Sequence, residues 1–343
     1  MRINLEQALD WYNKDLLTLG RAAQETRLAL HPEPIVTYVV DRNINYTNVC
    51  ISGCRFCAFY QTLESPSAYV LSLEELGRKI EETIALGGTQ ILIQGGMHPG
   101  LPLSYYEEML QWIKGHYPIH IHGFSPPEIL HLSKVSGLSL TEVLGRLKES
   151  GLGSIPGGGA EVLSDRVRQQ ISPKKGSVSD WLSVMETAHG LGLRTTATMM
   201  FGHIETVEER IRHLLAIRDL QDRTGGFTAF IPWTFQPGNT ALVLTEVKGV
   251  EYLRMLALSR LVLDNIPNIQ ASWVTQGAKV AQIALYFGAN DLGSTMIEEN
   301  VVAATGVTHC LSLQEMRRLI ETAGFKPCQR DTFYNRVERS CRN

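Results

Sequence analysis

The chain has 343 residues, with 32 Lys or Arg against 35 Asp or Glu, so its formal net charge is -3. This balance gives no sign of the basic surface that nucleic-acid binding requires. No window of the sequence approaches the ~18 uninterrupted apolar residues of a membrane span. The N-terminal segment lacks the basic and apolar regions of a secretory signal, and we expect a cytoplasmic protein.

Short apolar runs alternate along the chain with longer amphipathic segments of helical spacing. In chain order the runs are YVVDRNINYT, TQILIQGG, IHIHGFS, GSIPGGG, RTTATMMFGH, GFTAFIPWTF, NIQASWVT and ALYFGANDLGS. Several helical segments begin with the Ser/Thr and Glu/Asp pattern of a capping box, and two end at Gly87 and Gly192. Eight strand candidates separated by helices predict an α/β fold, a (β/α)8 barrel over residues 41–310. We expect residues 1–40 to form a helical extension and 311–343 a C-terminal helix and tail packed on the barrel.

The segment after the first apolar run contains three cysteines, Cys50, Cys54 and Cys57, in the spacing C-x3-C-x2-C. A [4Fe–4S] cluster takes four thiolates, so three leave one iron open to another ligand. The neighbouring aromatic residues Phe59 and Tyr60 would help to keep water from such a cluster. The spacing therefore predicts an iron–sulfur centre with an open position.

Two other kinds of cysteine site fit the sequence less well. Structural zinc sites usually present C-x2-C pairs with further ligands nearby, whereas Cys310, Cys328 and Cys341 stand far away at irregular intervals. A disulfide framework is unusual in a chain long enough to bury a full core. We interpret the three distant cysteines as incidental thiols and keep a zinc-stabilised, non-redox barrel enzyme as an alternative. A small electron carrier is disfavoured by the length.

Polar and glycine-rich segments follow six of the predicted strands, where the active site of such a barrel lies. The glycines of QGG and PGGG would let a backbone approach a ligand, although each segment could also be a simple turn. Glu161 could bind a ligand or cap the following helix. His203, at a strand end, suits proton transfer or substrate contact. His98 has a weaker case, because it precedes Pro99 and could only stabilise its turn.

Three more side chains come from the segment after the sixth strand. Gln236 and Asn239 are neutral hydrogen-bonding groups suited to a hydroxyl-rich substrate, and Trp233 could pack on an aromatic ring or in the core. No Arg or Lys stands out as the partner of a substrate carboxylate.

Six strings together, NINYTNVC…C.FCAFY, TQILIQGGMHP, SIPGGGAE, TTATMMFGHIET, GGFTAFIPWTFQPGNT and GANDLGSTMIEENV, resemble the radical S-adenosylmethionine (SAM) superfamily. Within it they resemble the menaquinone group of the futalosine pathway, and most closely its cyclase branch, over about residues 5–330. The resemblance implies a [4Fe–4S] cluster on the three cysteines, with SAM on the open iron. It implies cofactor-binding roles for Phe59, Tyr60, Gln94, Gly95, Gly96 and Glu161, and substrate-binding roles for His98, Gly158, Gly159, His203, Trp233, Gln236 and Asn239.

The resemblance also implies the reaction. A 5′-deoxyadenosyl radical would abstract the C4′ hydrogen of dehypoxanthine futalosine, and the C4′ radical would add to the substrate's own benzoate ring. Loss of an electron and a proton would restore aromaticity, with His203 or Glu161 as the expected base. A low-potential donor such as flavodoxin or ferredoxin would supply electrons. The alternative within the group is aminofutalosine synthase, which adds the deoxyadenosyl radical to an enolpyruvyl group.

Overall fold

The apolar runs form parallel strands that close into a barrel in the computed structural model, which describes residues 2–337 and 341. The first strand of the barrel is made of two segments, β1 and β2, which are joined through residues 40–42. Each strand from β3 to β8 pairs with the strand before it. The ring is closed by a bridge between Gln270 and Asp291 and by the pairing of β9 with β1. The predicted (β/α)8 barrel is confirmed. The strands are β1 Ile35–Val39, β2 Asn43–Asn45, β3 Gln90–Gln94, β4 His120–Gly123, β5 Ser154–Ile155, β6 Arg194–Phe201, β7 Phe227–Thr234, β8 Asn268–Ile269 and β9 Asp291–Ser294.

Helices surround the barrel, and their starts follow the capping rules. Ser72, Ser139, Ser177, Thr206 and Ser312 each form a capping box with the acidic residue three positions later, so that orphan N–H groups are satisfied. The helices are α1 Leu5–Asn13, α2 Leu16–Leu30, α3 Leu73–Ala85, α4 Leu103–His116, α5 Pro126–Ser136, α6 Leu140–Ser150, α7 Asp165–Ile171, α8 Val178–Gly190, α9 Val207–Thr224, α10 Gly249–Val262, α11 Trp273–Ala284 and α12 Leu313–Thr322. None of the helices in residues 2–337 is both long and apolar enough to cross a bilayer.

The ends of the chain differ from the sequence-based expectation. The first strand begins at Ile35, so the helical extension ends before the predicted boundary at residue 40. The C-terminal region adds a strand, β10 Lys326–Gln329, which pairs in parallel with β1. Its Lys and Pro gave no strand signal, because Pro cannot donate to a ladder and occurs mainly in edge strands.

Two of the cysteines interpreted as incidental thiols are paired. Cys328 in β10 and Cys341 form a disulfide with their Cα atoms 4.5 Å apart. The chain folds back after β10, where the N–H of Val337 donates to the carbonyl O of Gln329 at 2.8 Å, and this reversal brings the two cysteines together. Cys310 is a free, exposed thiol.

Candidate active site

The loop that carries Cys50, Cys54 and Cys57, called the cysteine loop below, begins after β2. Cys54 is buried, and Cys50 and Cys57 are partly buried. Sγ of Cys50 accepts hydrogen bonds from the backbone N–H groups of Met97 at 3.3 Å and Ser52 at 3.4 Å. The hydroxyl of Ser52 lies 2.9 Å from Sγ of Cys54. Polar hydrogens directed at sulfur stabilise thiolates and tune the potential of a cluster that they hold.

The aromatic residues after the last cysteine contribute through their backbone. Burial raises the pKa of the Cys57 thiol, and the N–H groups of Phe59 and Tyr60 oppose that shift. Both residues are partly buried at the end of the loop. They therefore lie beside the cysteines and do not line the barrel cavity described below.

Two glycines at the end of β3 allow the cysteine loop to lie against the barrel. A Cβ atom on Gly96 would stand 2.1 Å from the carbonyl O of Val49 and 2.8 Å from Cβ of Cys50. A Cβ on Gly95 would stand 2.4 Å from the ring of Tyr46. Real atoms do not approach so closely, so both positions require glycine for the packing of the loop and not only for a turn.

A buried ion pair lies beside the same loop. Nζ of Lys175 is 2.9 Å from Oε1 of Glu161 and 4.9 Å from the ring centroid of Phe56. Burial alone would raise the pKa of the Glu161 carboxyl, but Lys175 and Arg168 more than offset it and hold that pKa below its usual range. Glu161 is therefore a paired anion near the cysteines. This placement suits a cofactor contact better than the predicted role of proton acceptor.

The barrel contains a cavity of about 280 Å³. Three of the predicted site residues line it, namely Gln94, Gly158 and Trp233. Gly159, the neighbour of Gly158, instead packs on Pro127, since a Cβ there would lie 2.4 Å from that ring. The cavity is therefore the space in which a substrate can contact residues at the mouth of the barrel.

His203 does not reach the cavity. Its side chain is fully buried, with Nδ1 2.8 Å from Oε2 of Glu205 and Nε2 3.0 Å from the carbonyl O of Met200. Burial would raise the pKa of Glu205, but His203 and Arg210 lower it to about 2. Both ring nitrogens thus contact neighbouring groups, and His203 is not among the residues that line the cavity.

Three other predicted substrate residues are committed to local structure. Nδ1 of His98 accepts a backbone N–H of its own turn at 3.0 Å. The amide of Gln236 donates to Oγ1 of Thr234 at 3.1 Å, and that of Asn239 donates to the carbonyl O of Ala304 at 2.9 Å. None of the three is among the cavity-lining residues.

Sequence reasoning missed polar residues inside the strands. Asn43, His122, Thr196 and Thr198 all line the cavity. Polar residues alternate within YVVDRNINYT and RTTAT, a period-2 signal for side chains on one face of a strand. The predicted site residues all lie at or after strand ends, so this signal inside the strands was missed.

The lower end of the cavity is closed by the C-terminal tail. Arg330 donates to both carboxylate oxygens of Asp291, at 2.6 and 3.0 Å, and its guanidinium lies 3.9 Å from the ring centroid of Tyr334. Arg330, Thr332 and Tyr334 line the cavity. Because its donors are occupied, Arg330 is part of the floor and not an open receptor for a substrate carboxylate.

Comparisons with known proteins agree with this geometry. The model described as "Radical SAM superfamily" matches residues 44–217, and "CofH/MqnC C-terminal region" matches residues 224–341. This chain belongs to the radical SAM superfamily. Cyclic dehypoxanthine futalosine synthase of Halalkalibacterium halodurans is 47% identical, with 97% of this chain and 91% of that protein covered. The protein of the same name from Streptomyces coelicolor is 46% identical, with coverages of 98% and 86%.

An archaeal radical SAM relative carries a different name at nearly the same distance. The 5-amino-6-(D-ribitylamino)uracil–L-tyrosine 4-hydroxyphenyl transferase of Archaeoglobus fulgidus is 45% identical, with 96% of each chain covered. Among solved structures, the FeFe-hydrogenase maturase HydG of Carboxydothermus hydrogenoformans matches with a TM-score of 0.77 at 20% identity, covering 97% of this chain and 77% of that one. Methylornithine synthase (PylB) matches with a TM-score of 0.73 at 17% identity, covering 95% and 94%. These structures support the fold alone.

The residues present fit the cluster and SAM that the superfamily implies. Backbone N–H groups point at Sγ of Cys50, the Ser52 hydroxyl lies 2.9 Å from Sγ of Cys54, and Gly96 lets the cysteine loop pack closely on the end of β3. Within residues 2–337 and 341, no three His, Cys, Asp or Glu side chains converge on one metal-ion position. A [4Fe–4S] cube makes no such demand, because each thiolate binds its own iron.

Replacement of Gly96 by Ala is expected to lower iron incorporation several-fold. The new Cβ would overlap the carbonyl of Val49, a backbone group that can yield only if the cysteine loop moves. Iron and sulfide per chain after anaerobic reconstitution measure the effect. Gly145→Ala in α6 is the matched control, since no atom lies within 4 Å of its added Cβ. Equal cluster contents in the two variants would contradict the packing argument.

Proposed function

We propose that this chain is the radical SAM cyclase that converts dehypoxanthine futalosine to its cyclic product in menaquinone biosynthesis. The observation that carries the proposal is a three-cysteine loop at the mouth of a barrel with an internal cavity, in a chain 47% identical to a synthase named for this product. Bound cluster and SAM would supply the 5′-deoxyadenosyl radical. The chain itself would bind and orient the substrate and would shield the radical from side reactions.

Each part of the site has an assigned task. Cys50, Cys54 and Cys57 would hold the cluster, and the segment of Gln94, Gly95 and Gly96 would lie beside SAM. The ion pair of Glu161 with Lys175 supplies fixed charges of both signs next to the cysteine loop, suited to the amino and carboxylate groups of SAM. Phe59 and Tyr60 would limit the access of water to the cluster.

The cavity would hold the substrate. Trp233, Ile231 and Leu92 offer apolar wall to the aromatic ring, and Thr196 and Thr198 lie among them. Intramolecular ring closure requires the C4′ carbon and the ring carbon at ~3–3.5 Å, so a confined space is an advantage. We propose a low-potential flavodoxin or ferredoxin as electron donor and the cytoplasm as location.

The test is an anaerobic incubation of reconstituted protein with SAM, dithionite and dehypoxanthine futalosine, followed by mass spectrometry. We expect free 5′-deoxyadenosine and a cyclised product that lacks two hydrogens of the substrate. Incorporation of the adenosyl carbon into a product from an enolpyruvyl benzoate would point to aminofutalosine synthase instead. Colourless protein that binds zinc and leaves SAM intact would support the non-redox alternative.

A second candidate function comes from the archaeal relatives. The 45% identity to the 4-hydroxyphenyl transferase of A. fulgidus is close to that of the cyclases, and the match covers the whole barrel. That enzyme is named for L-tyrosine and 5-amino-6-(D-ribitylamino)uracil. A parallel incubation with those two compounds decides between the candidates. Turnover of this pair without cyclisation of dehypoxanthine futalosine would overturn the proposal.

A further inference from the structure

A hydrogen-bonded chain of side chains leads from the barrel cavity to the lower end of β4. Oγ of Ser154 lies 2.6 Å from Nδ1 of His122 and 2.7 Å from Nε2 of His120. His122 faces Ser154 across the β4–β5 pairing, and Ser154 is 1% exposed. A hydroxyl has one proton and can donate to only one imidazole, so the other imidazole donates to it.

One end of this chain opens on the cavity. His122 is 7% exposed and lines the cavity, and among the described residues its Nε2 has no hydrogen-bond partner. Burial, with smaller effects from His120 and Arg330, lowers the pKa of His122 to about 3, so the imidazole is neutral. A neutral ring that donates from Nδ1 to Ser154 has an electron pair at Nε2 ready to accept a proton.

The other end approaches solvent. His120 is partly buried, and its ring makes an edge contact with Phe333 at 5.0 Å between centroids. Phe333 is 42% exposed. His120 itself is partly exposed, and no other described residue forms a hydrogen bond with its Nδ1, so we take this nitrogen as the point from which the proton leaves to water.

We propose that His122, Ser154 and His120 form a proton relay that removes the ring proton released during rearomatisation. This inference rests on the proposed cyclase function, because only a reaction that frees a proton inside the cavity needs such an exit. It assigns the base to the interior of β4 and not to His203 or Glu161, whose partners occupy them.

Addition of the C4′ radical forms one carbon–carbon bond and leaves a cyclohexadienyl radical in the ring. The C–H bond at the attacked carbon then breaks and the proton passes to Nε2 of His122. The electron would be taken up by the iron–sulfur cluster that Cys50, Cys54 and Cys57 would hold, oxidised by its earlier reduction of SAM. The proton on Nδ1 of His122 moves to Ser154, the Ser154 proton moves to Nε2 of His120, and the Nδ1 proton of His120 leaves to water.

The variants His122→Gln and Ser154→Ala test the relay by the ratio of 5′-deoxyadenosine to cyclised product. Wild-type protein should form the two in equal amounts. Since general base catalysis contributes ~10²–10⁴-fold, His122→Gln should raise the ratio by at least ~10-fold while SAM cleavage continues. Ser154→Ala keeps the imidazole of His122 but interrupts the path of the proton to His120, so we expect a smaller rise in the ratio. Free imidazole should lower the ratio in His122→Gly, which a purely structural role would not predict.

His189→Gln is the matched control. His189 also bridges two hydroxyls, those of Thr224 at 2.7 Å and Thr195 at 2.8 Å, and burial lowers its pKa to about 4, yet it does not line the cavity. Its ratio should equal that of the wild type.

Two kinds of failure are distinguishable. Wild-type protein that cleaves SAM but does not cyclise the substrate would overturn the proposed function, and the relay with it. If the wild type cyclises and both His122→Gln and Ser154→Ala keep the wild-type ratio, even at lower rates, only the relay is overturned. Should His122→Gln fail to fold, an unchanged ratio in Ser154→Ala alone has the same meaning.

Discussion

Replacement of Cys54 by Ala should reduce SAM cleavage to background. Cys54 is the buried cysteine of the cysteine loop, and its Sγ lies 2.9 Å from Oγ of Ser52. With two thiolates left, a [4Fe–4S] cluster would lose one of its three protein ligands and would not be retained. The measurements are iron content, the visible absorption of the anaerobic protein, and 5′-deoxyadenosine formed in the presence of dithionite.

Cys310→Ala is the control for this variant. Cys310 is exposed and lies outside the loop, so its loss removes a thiol without touching the cluster. We expect wild-type iron content and activity. A Cys54→Ala protein that keeps its iron and its SAM cleavage would show that the cluster is held elsewhere, and the assignment of the loop would fall.

The cysteine loop was predictable because its information is local. All three sulfurs lie within eight consecutive residues, from Cys50 to Cys57, so their convergence depends on one loop and not on the fold. The helix starts were predictable for the same reason, since a capping box spans four residues. The barrel followed from counting alternating segments, and the closing contacts of β9 with β1 confirm it.

The interior of the barrel was not predictable in the same way. Whether Asn43 or its neighbours face the cavity depends on the phase of each strand, and a shift of one residue exchanges the two faces. His203 follows the long strand β6 and was a reasonable candidate, but the sequence does not show that Glu205 and the carbonyl of Met200 take its ring nitrogens. The proton path through Ser154 requires the β4–β5 register, which is a tertiary fact.

Relatives named as cyclases and as hydroxyphenyl transferases match this chain at 47% and 45% identity over nearly its whole length. Their names point to different substrates, so identity over the whole chain does not by itself decide what the cavity accepts. We expect substrate choice to lie in residues such as Trp233 and Asn43, which line the cavity from different strands.

The floor of that cavity depends on a buried ion pair, and its loss is the second large effect that we expect. Arg330→Met would leave Asp291, which is 0% exposed, without the guanidinium that now donates to both of its oxygens. An unpaired buried carboxylate costs ~3–5 kcal/mol, so the free energy of unfolding in urea should fall by about that amount. Thr332 and Tyr334 follow Arg330 in the floor, and cyclisation should fall with the ordering of this segment.

Two further variants separate the pair from a general loss of Arg. Arg146 pairs with Glu107 at 2.6 Å but is 47% exposed, so Arg146→Met should cost less than ~1 kcal/mol. Replacing both floor partners, Asp291→Leu with Arg330→Met, removes the stranded charge and should recover much of the lost stability. If Arg330→Met proved no more costly than Arg146→Met, the tail would be held by its strand pairing with β1, and the ion pair would serve only to shape the cavity.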